Sequence, residues 1–171
     1  TWKPLTPAKV PAEIRAPAGT LAGVSGFQVR FAREDILTPG DAADVLVAMN
    51  PAALHAHLDD LIPGGMVLLN EDSFTPQQFR KAGLASDPRE DGRLAGYAVH
   101  SIPVTSITLK AVESLGLGRK RGERCKNMFT LGLVCWLYDR DTAVIEQLID
   151  AKFGASDPVT AEANRLALRA G

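Results

Sequence analysis

An uncharged apolar run, Val45 to Met49, passes without a linker into Asn50-Pro51. Ala52, Ala53, Leu54, Leu58 and Leu61 then follow at helical spacing. A short run of this kind reads as a strand covered on both faces, as in a parallel sheet. Asn is a favoured N-cap, and Pro is favoured at the first helical position, where its missing N–H costs nothing. Pro63-Gly64-Gly65 is expected to end the helix, and Met66-Val-Leu-Leu-Asn70 to begin a second buried strand. The unit is β-α-β, which implies a right-handed crossover. Ligands of open α/β sheets bind beyond the carboxyl ends of the strands. Asn50 and Asn70-Glu71-Asp72 stand at those ends.

The chain has 171 residues, 46% hydrophobic and 23% charged, as expected of an ordinary globular domain with a real core. A net charge of −1 gives the whole molecule no electrostatic case for nucleic acid or an anionic membrane. Cys125 and Cys135 are the two cysteines and form no CxxC pair, so this chain's thiolates alone cannot hold a zinc ion or an iron–sulfur cluster. Low cysteine usage fits a reducing cytoplasm. No apolar stretch reaches the ~20 residues of a membrane span, and no signal peptide is visible. The chain opens on Thr1 without a methionine, so further residues are expected before it.

Pro4, Pro7 and Pro11 make residues 1–10 an extended arm. Ala12 to Gly26 is a loop of small residues, with three glycines, a serine and Arg15 as its cation. Phe27 to Phe31 alternates with the period of a strand, and Asp35 to Gly40 is a turn. Thr75-Pro76 caps a short helix over 74–82. A charged loop over 86–96 turns at Asp87-Pro88 and Asp91-Gly92. Tyr97 to Val104 is a strand with Pro103 at its end or edge. Thr105 or Ser106 is expected to cap a helix running to Leu115, ended by Gly116 and Gly118. Arg119 to Lys126 is basic. Asn127 to Tyr138 is apolar nearly all round, the pattern of a helix buried in a core or a subunit interface. Thr142 to Phe153 carries a stripe of Val144, Ile145, Leu148, Ile149 and Phe153. Asp157-Pro158 opens a last helix with Ala163, Leu166, Ala167 and Ala170 on its apolar side. The expected fold is therefore α/β: a three-layer, Rossmann-like, mostly parallel sheet with a helical C-terminal third. A doubly wound domain usually opens on a strand and a Gly-rich turn, which this sequence lacks.

Five segments stand out together: Pro11-Ala-Glu-Ile-Arg-Ala-Pro-Ala-Gly-Thr-Leu-Ala-Gly-Val-Ser-Gly-Phe-Gln-Val-Arg-Phe31, Asp35-Ile-Leu-Thr-Pro-Gly-Asp41, Asp44-Val-Leu-Val-Ala-Met-Asn-Pro-Ala-Ala-Leu54, Lys126-Asn-Met-Phe-Thr-Leu-Gly132 and Ala161-Glu-Ala-Asn-Arg-Leu-Ala-Leu-Arg-Ala-Gly171. In this order they resemble the gamma domain of the 2-oxoacid:ferredoxin oxidoreductases, most of all the form that opens the alpha subunit of 2-oxoglutarate:ferredoxin oxidoreductase (2-oxoglutarate synthase). The resemblance covers 11–171 and leaves 1–10 outside. Two departures stand out: the family's opening strand and glycine-rich turn are absent, and Val10 replaces the usual aromatic residue. The thiamine domain that follows the gamma domain is also absent, so the sequence is expected to be a fragment or a subunit cut down to its gamma domain.

The resemblance implies oxidative decarboxylation of a 2-oxoacid, 2-oxoglutarate by the nearest form, to an acyl-coenzyme A with reduction of ferredoxin. Thiamine diphosphate, Mg²⁺ and [4Fe-4S] clusters are then expected on partner domains or subunits of a cytoplasmic hetero-oligomer. This chain would be structural and coenzyme A-facing, inactive alone, with no catalytic residue and no metal of its own. Arg15, Thr20, Ser25 and Asn50 are the expected substrate- or coenzyme A-facing residues, and Asn127, Met128 and Trp136 the expected interface.

Each of these residues has a plainer reading. Arg15 could pair with Glu13 or a neighbouring subunit; its guanidinium also suits a carboxylate or phosphate through bidentate donors. Asn50 could be a helix cap alone. The glycines at 19, 23 and 26 could mark only a tight path, since they lack GxGxxG spacing. His55 and His57, two apart on a helix, cannot chelate one metal, and His100 reads as structural. Asp59 and Asp60 face different sides of a helix. The basic 119–126 segment is a solvated helix entry or a contact for an acidic partner subunit. Cys125 and Cys135 read as packed thiols, and Trp136 and Tyr138 as core or interface anchors. Two other functions stay open: a free-standing Rossmann-like module binding a nucleotide or coenzyme A, and an assembly module that has lost the family's role. Native mass, and activity with and without the chain, separate the three.

Overall fold

Strands β1 (Ala43–Ala48), β2 (Leu61–Asn70) and β3 (Ala98–Ile102) make one parallel sheet in the order β1-β2-β3. The computed structural model describes Val24, Gly26, Gln28, Val29 and residues 42–171. Two units are resolved, one ending at Ile102 and one running Pro103–Gly171. The expected arm at 1–10 and the turn at 35–40 lie outside the described residues. Of the strand expected over 27–31, Gln28 and Val29 are described; both are exposed and neither is in a strand.

In the first unit, register puts Leu46 beside Val67 and Ala48 beside Leu69, so these four side chains share one sheet face. Helices α1 (Pro51–His57) and α2 (Pro76–Lys81) both cover that face. Their Ala52, Leu54 and Phe79 join Ala48, Val67 and Leu69 in one core, closed by Phe74, Leu84 and Leu94. Strands in consecutive order with right-handed crossovers place both connections on the same side. Leu54 and Leu69, 0% and 1% exposed, each gain ~2 kcal/mol by leaving water. Val24 belongs to this core as well, so the end of the small-residue stretch reaches it.

The caps form where the sequence placed them. Asn50 Oδ1 accepts the Ala53 N–H at 2.8 Å, and Thr75 Oγ1 accepts that of Gln78 at 3.4 Å. The helix expected to run to Leu61 is shorter. It stops at His57, a 3₁₀ turn takes Leu58–Asp60, and β2 already starts at Leu61 instead of Met66. Leu61 pairs with Ala43 and Met66 with Val45, so Ile62–Gly65 form a bulge between them. Gly64 takes a positive φ of 78° there, which a side chain would resist. The Pro-Gly-Gly signal was thus a break inside a strand.

The second unit is helical: α3 (Val104–Ala111), α4 (Arg119–Glu123), α5 (Lys126–Leu137), α6 (Ala143–Ile149) and α7 (Pro158–Ala170). Helix α3 begins one residue before the expected Thr105 or Ser106 cap and has no side-chain cap. Thr108 instead turns its hydroxyl inward, donating to the Val104 carbonyl at 2.6 Å. The helix ends at Ala111, short of Leu115. A 3₁₀ turn, Glu113–Leu115, follows, and Gly116 stops the chain at φ 63°. Asp157 caps α7 as expected, its Oδ1 accepting from Thr160 N at 3.0 Å. Helices α5 and α7 approach to backbone contact: a methyl on Gly132 would fall on the Leu168 carbonyl oxygen. Met128, Leu131, Ile145 and Phe153 pack around Ile149, Ala161 and Leu168.

Two expected faces are corrected. Of the stripe expected over 142–153, Ile145 and Ile149 of α6 and Phe153 beyond it turn inward; Val144 and Leu148 are 63% and 64% exposed. On α7 the buried side is Ala161, Ala163, Asn164, Ala167 and Leu168, while Ala170 is exposed. Helical spacing located each stripe, and packing chose which flank of it to bury.

Candidate functional site

Parallel pairing brings the carboxyl ends of the strands together. Ala48 lies beside Leu69, and Asn70 beside Ile102. Asn70 closes an otherwise apolar strand and is 1% exposed. Its amide nitrogen donates to Ser73 Oγ at 2.8 Å and, more weakly, to the Met49 carbonyl at 3.4 Å. One side chain therefore clamps the end of β1, the end of β2 and the 3₁₀ turn Glu71–Ser73. The carbonyl it holds belongs to the residue before Asn50, so the clamp also sets the entry to α1. The signal for this role was a polar residue ending a run of Met66-Val-Leu-Leu: burial there obliges it to find partners.

Gly26 lies at the other end of α1. A methyl on Gly26 would come 3.2 Å from His57 Nε2, and His57 Nδ1 is 2.9 Å from Asp60 Oδ2. The imidazole thus stands between a carboxylate and the small-residue stretch.

A third feature borders β3. An open groove of about 350 Å³ is lined by Arg89, Glu90, Leu94, Ala95, Val99 and Ser101. Its rim is a repeated Asp-x-Arg turn. Asp87 accepts the Arg89 N–H and Nε, both at 2.9 Å, and Asp91 does the same for Arg93 at 3.2 and 2.9 Å. Arg89 also donates to the Phe74 carbonyl at 3.4 Å and lies 5.8 Å from that ring's centre. Hydrogen bonds from Arg89 hold the Asp87 carboxyl below its ordinary range, and those from Arg93 take Asp91 down to about 2. The groove's guanidinium is already committed to this turn.

Among the expected site residues, Arg15, Thr20 and Ser25 lie outside the described residues. Asn50 is at the strand ends, half-buried, with its oxygen used as the cap. Asn127 is exposed at the start of α5. Met128 packs into the second unit's core. Trp136 is 75% exposed, so it is no core anchor. The rest of α5 buries one side through Phe129, Gly132 and Cys135.

The chemistry these groups offer is limited. Cys125 and Cys135 are buried, and desolvation pushes both thiols up, so they stay protonated at neutral pH. A [4Fe-4S] cluster takes four thiolates, twice this chain's supply. Among the described residues no three His, Cys, Asp or Glu side chains gather to hold a metal ion. No helix of the described residues is long and apolar enough to cross a membrane.

Comparison with known proteins decides the family. The description pyruvate ferredoxin/flavodoxin oxidoreductase matches residues 9–171. The chain belongs to that family. It is also 55% identical over 161 residues to 2-oxoglutarate oxidoreductase subunit KorA of Mycobacterium tuberculosis (strain ATCC 25618 / H37Rv), a match covering 94% of this chain and 24% of that protein. The chain spans about a quarter of the length of that curated relative.

Proposed function

We propose that this chain is the gamma-type part of a 2-oxoacid:ferredoxin oxidoreductase that decarboxylates 2-oxoglutarate oxidatively, forms the acyl-coenzyme A and reduces ferredoxin. The observation that carries this is the family match over 9–171, with 55% identity to a 2-oxoglutarate oxidoreductase subunit. The chain's role is structural and coenzyme A-facing. Thiamine diphosphate with Mg²⁺ and the [4Fe-4S] clusters belong to partner domains; this chain's two cysteines fall short of four thiolates, and no metal-holding group gathers among the described residues. The sheet is one of three layers, as in related open α/β folds, and the assembly works in the cytoplasm.

Within that reading, Arg15, Thr20 and Ser25 on the small-residue loop and Asn50 at the strand ends face an anionic co-substrate. Asn50's oxygen is taken by the cap, and its amide N–H groups remain to donate. Asn127 and Trp136, exposed near the two ends of α5, offer a polar and an aromatic anchor to a partner, and Met128 of the same expected interface packs in the second unit's core. The experiment is Arg15→Ala in the reconstituted oxidoreductase. Losing a guanidinium that grips a carboxylate or phosphate raises one KM about tenfold or more, by roughly the 1.5–3 kcal/mol of a charged hydrogen bond. Unchanged KM values for both coenzyme A and the 2-oxoacid would remove Arg15 from the site.

A further inference from the structure

The most segregated charge among the described residues is on α4 and its junction with α5. Residues 119–126 hold Arg119, Lys120, Arg121, Arg124 and Lys126 against Glu123 alone, in a chain whose net charge is −1. Packing fixes which way they face. Gly122 is buried, and a methyl on it would come 2.8 Å from Leu109 Cδ2 and 3.3 Å from Val112 Cγ2, so α4 lies flat on α3 there. At ~100° per residue, Lys120 and Arg124 fall ~160° from Gly122, on the opposite, outward arc, while Arg121 lies ~100° and Arg119 ~60° from it. All four are exposed.

Local pairing does not use up this charge. Arg119 Nε meets Glu123 Oε1 at 2.8 Å, and Arg121 Nη2 meets Asp157 Oδ2 at 2.9 Å and Thr160 Oγ1 at 3.0 Å. Lys120, Arg124 and Lys126 have no ion pair among the described residues. Other arginines of the same unit do: Arg165 meets Asp150 and Glu162, and Arg169 meets Glu146. At α5 the placement also opposes the helix itself: it has no acidic residue in its first turn and no side-chain cap. Arg124 and Lys126 sit at the positive end of its backbone dipole.

We propose that the outward face of α4, centred on Lys120 and Arg124, docks a carboxylate-rich surface of a second polypeptide of the oxidoreductase. This rests on the reading above that the chain works inside such an assembly. The face is a convex helix surface and suits a surface better than a small ligand. No aromatic side chain stands among residues 119–126 to stack a base. The one apolar side chain there, Cys125, is buried, so none is free to enter a bilayer. What the face offers is unmatched positive charge, and charge complementarity speeds and orients protein association.

The test uses the assembly purified with this chain in it. Dissociation of the chain from its partner polypeptides is measured at low and at high salt for wild type, Lys120→Gln/Arg124→Gln and Lys120→Glu/Arg124→Glu. The charge reversal weakens association about tenfold or more at low salt, and the neutral pair falls between it and wild type. The difference shrinks as salt rises, since the screening length is only ~10 Å at 0.1 M. Both pairs keep the wild-type melting temperature, because neither breaks an internal ion pair. Equal affinity and salt dependence in all three proteins overturns the docking face while leaving the proposed function intact. A wild-type chain that joins no second polypeptide overturns both. A 20-mer DNA duplex, or vesicles containing phosphatidylserine, are titrated in parallel. If the reversal abolishes binding of either and spares assembly, the face belongs to another polyanion and the proposal fails.

Discussion

Asn50 and Asn70 are both amides at strand ends, yet the physical cost of losing each differs. Asn50 spends its oxygen on the Ala53 N–H at 2.8 Å, a bond that serine or aspartate could also make. Asn50→Ala is therefore expected to cost ~1 kcal/mol, and Asn50→Ser to recover most of it, read as denaturant midpoints at constant slope. An Ala variant as stable as wild type would show that the cap contributes nothing. Asn70 is harder to replace, since it is buried and joins groups from three positions in the chain. The sequence made the cap legible because Asn-Pro before an apolar helix has one local meaning. It placed Asn70 at a strand end but could not reveal the clamp. That depends on Ser73 and on the β1–β2 register, and register is a tertiary fact.

Elements show the same division. Caps followed by proline, at Asn50-Pro51, Thr75-Pro76 and Asp157-Pro158, marked three helix starts correctly. The uncharged runs marked β1 and β2 as strands of a parallel sheet. Helix ends and buried flanks were misread where neighbours decide them, as with the bulge at Ile62–Gly65 and the exposed Val144 and Leu148. The contact between α5 and α7 is the clearest case. Glycine inside a 12-residue apolar helix weakens it locally, so its presence needs a packing reason. The reason is the Leu168 carbonyl, which occupies the space a methyl would need. Gly171 makes a reciprocal approach, since a methyl on it would meet the Phe129 carbonyl oxygen. In an isolated helix Gly132→Ala would be favourable by up to ~1 kcal/mol. Here the obstacle is backbone, which cannot swing aside as a side chain can. The expected result is a net loss of ~1–3 kcal/mol or more from forced separation of the helices. Thermal or chemical unfolding checks it; a Gly132→Ala protein more stable than wild type would mean that the two helices do not meet this closely.

At the scale of the molecule, charge links both units to pH in the same direction. Arg89 and Arg93 hold Asp87 and Asp91 low in the first unit. In the second, hydrogen bonds from Arg169 hold Glu146 low, and those from Thr160, then Arg121, hold Asp157 low. A carboxyl whose folded pKa lies below its unfolded one stabilises the fold above the unfolded value. That stabilisation is lost as pH falls through the folded value. For Asp91 the window runs from the ordinary 3.8 down to about 2. The melting temperature should therefore be flat near neutrality and start to fall as pH drops toward 4. Both units should weaken together, because each carries two such carboxylates. The four side chains keep between 16% and 43% of their surface in water, so salt screens part of the coulombic share, and high salt should make the acid limb shallower without moving its onset far. The hydrogen bonds from Arg93 and Thr160 are short-range and should survive that screening. Melting curves across pH at two salt concentrations test the whole pattern. A loss of stability that begins well above pH 6 would place the sensitive groups elsewhere and deprive the Asp-x-Arg turns and the Asp157 cap of this role.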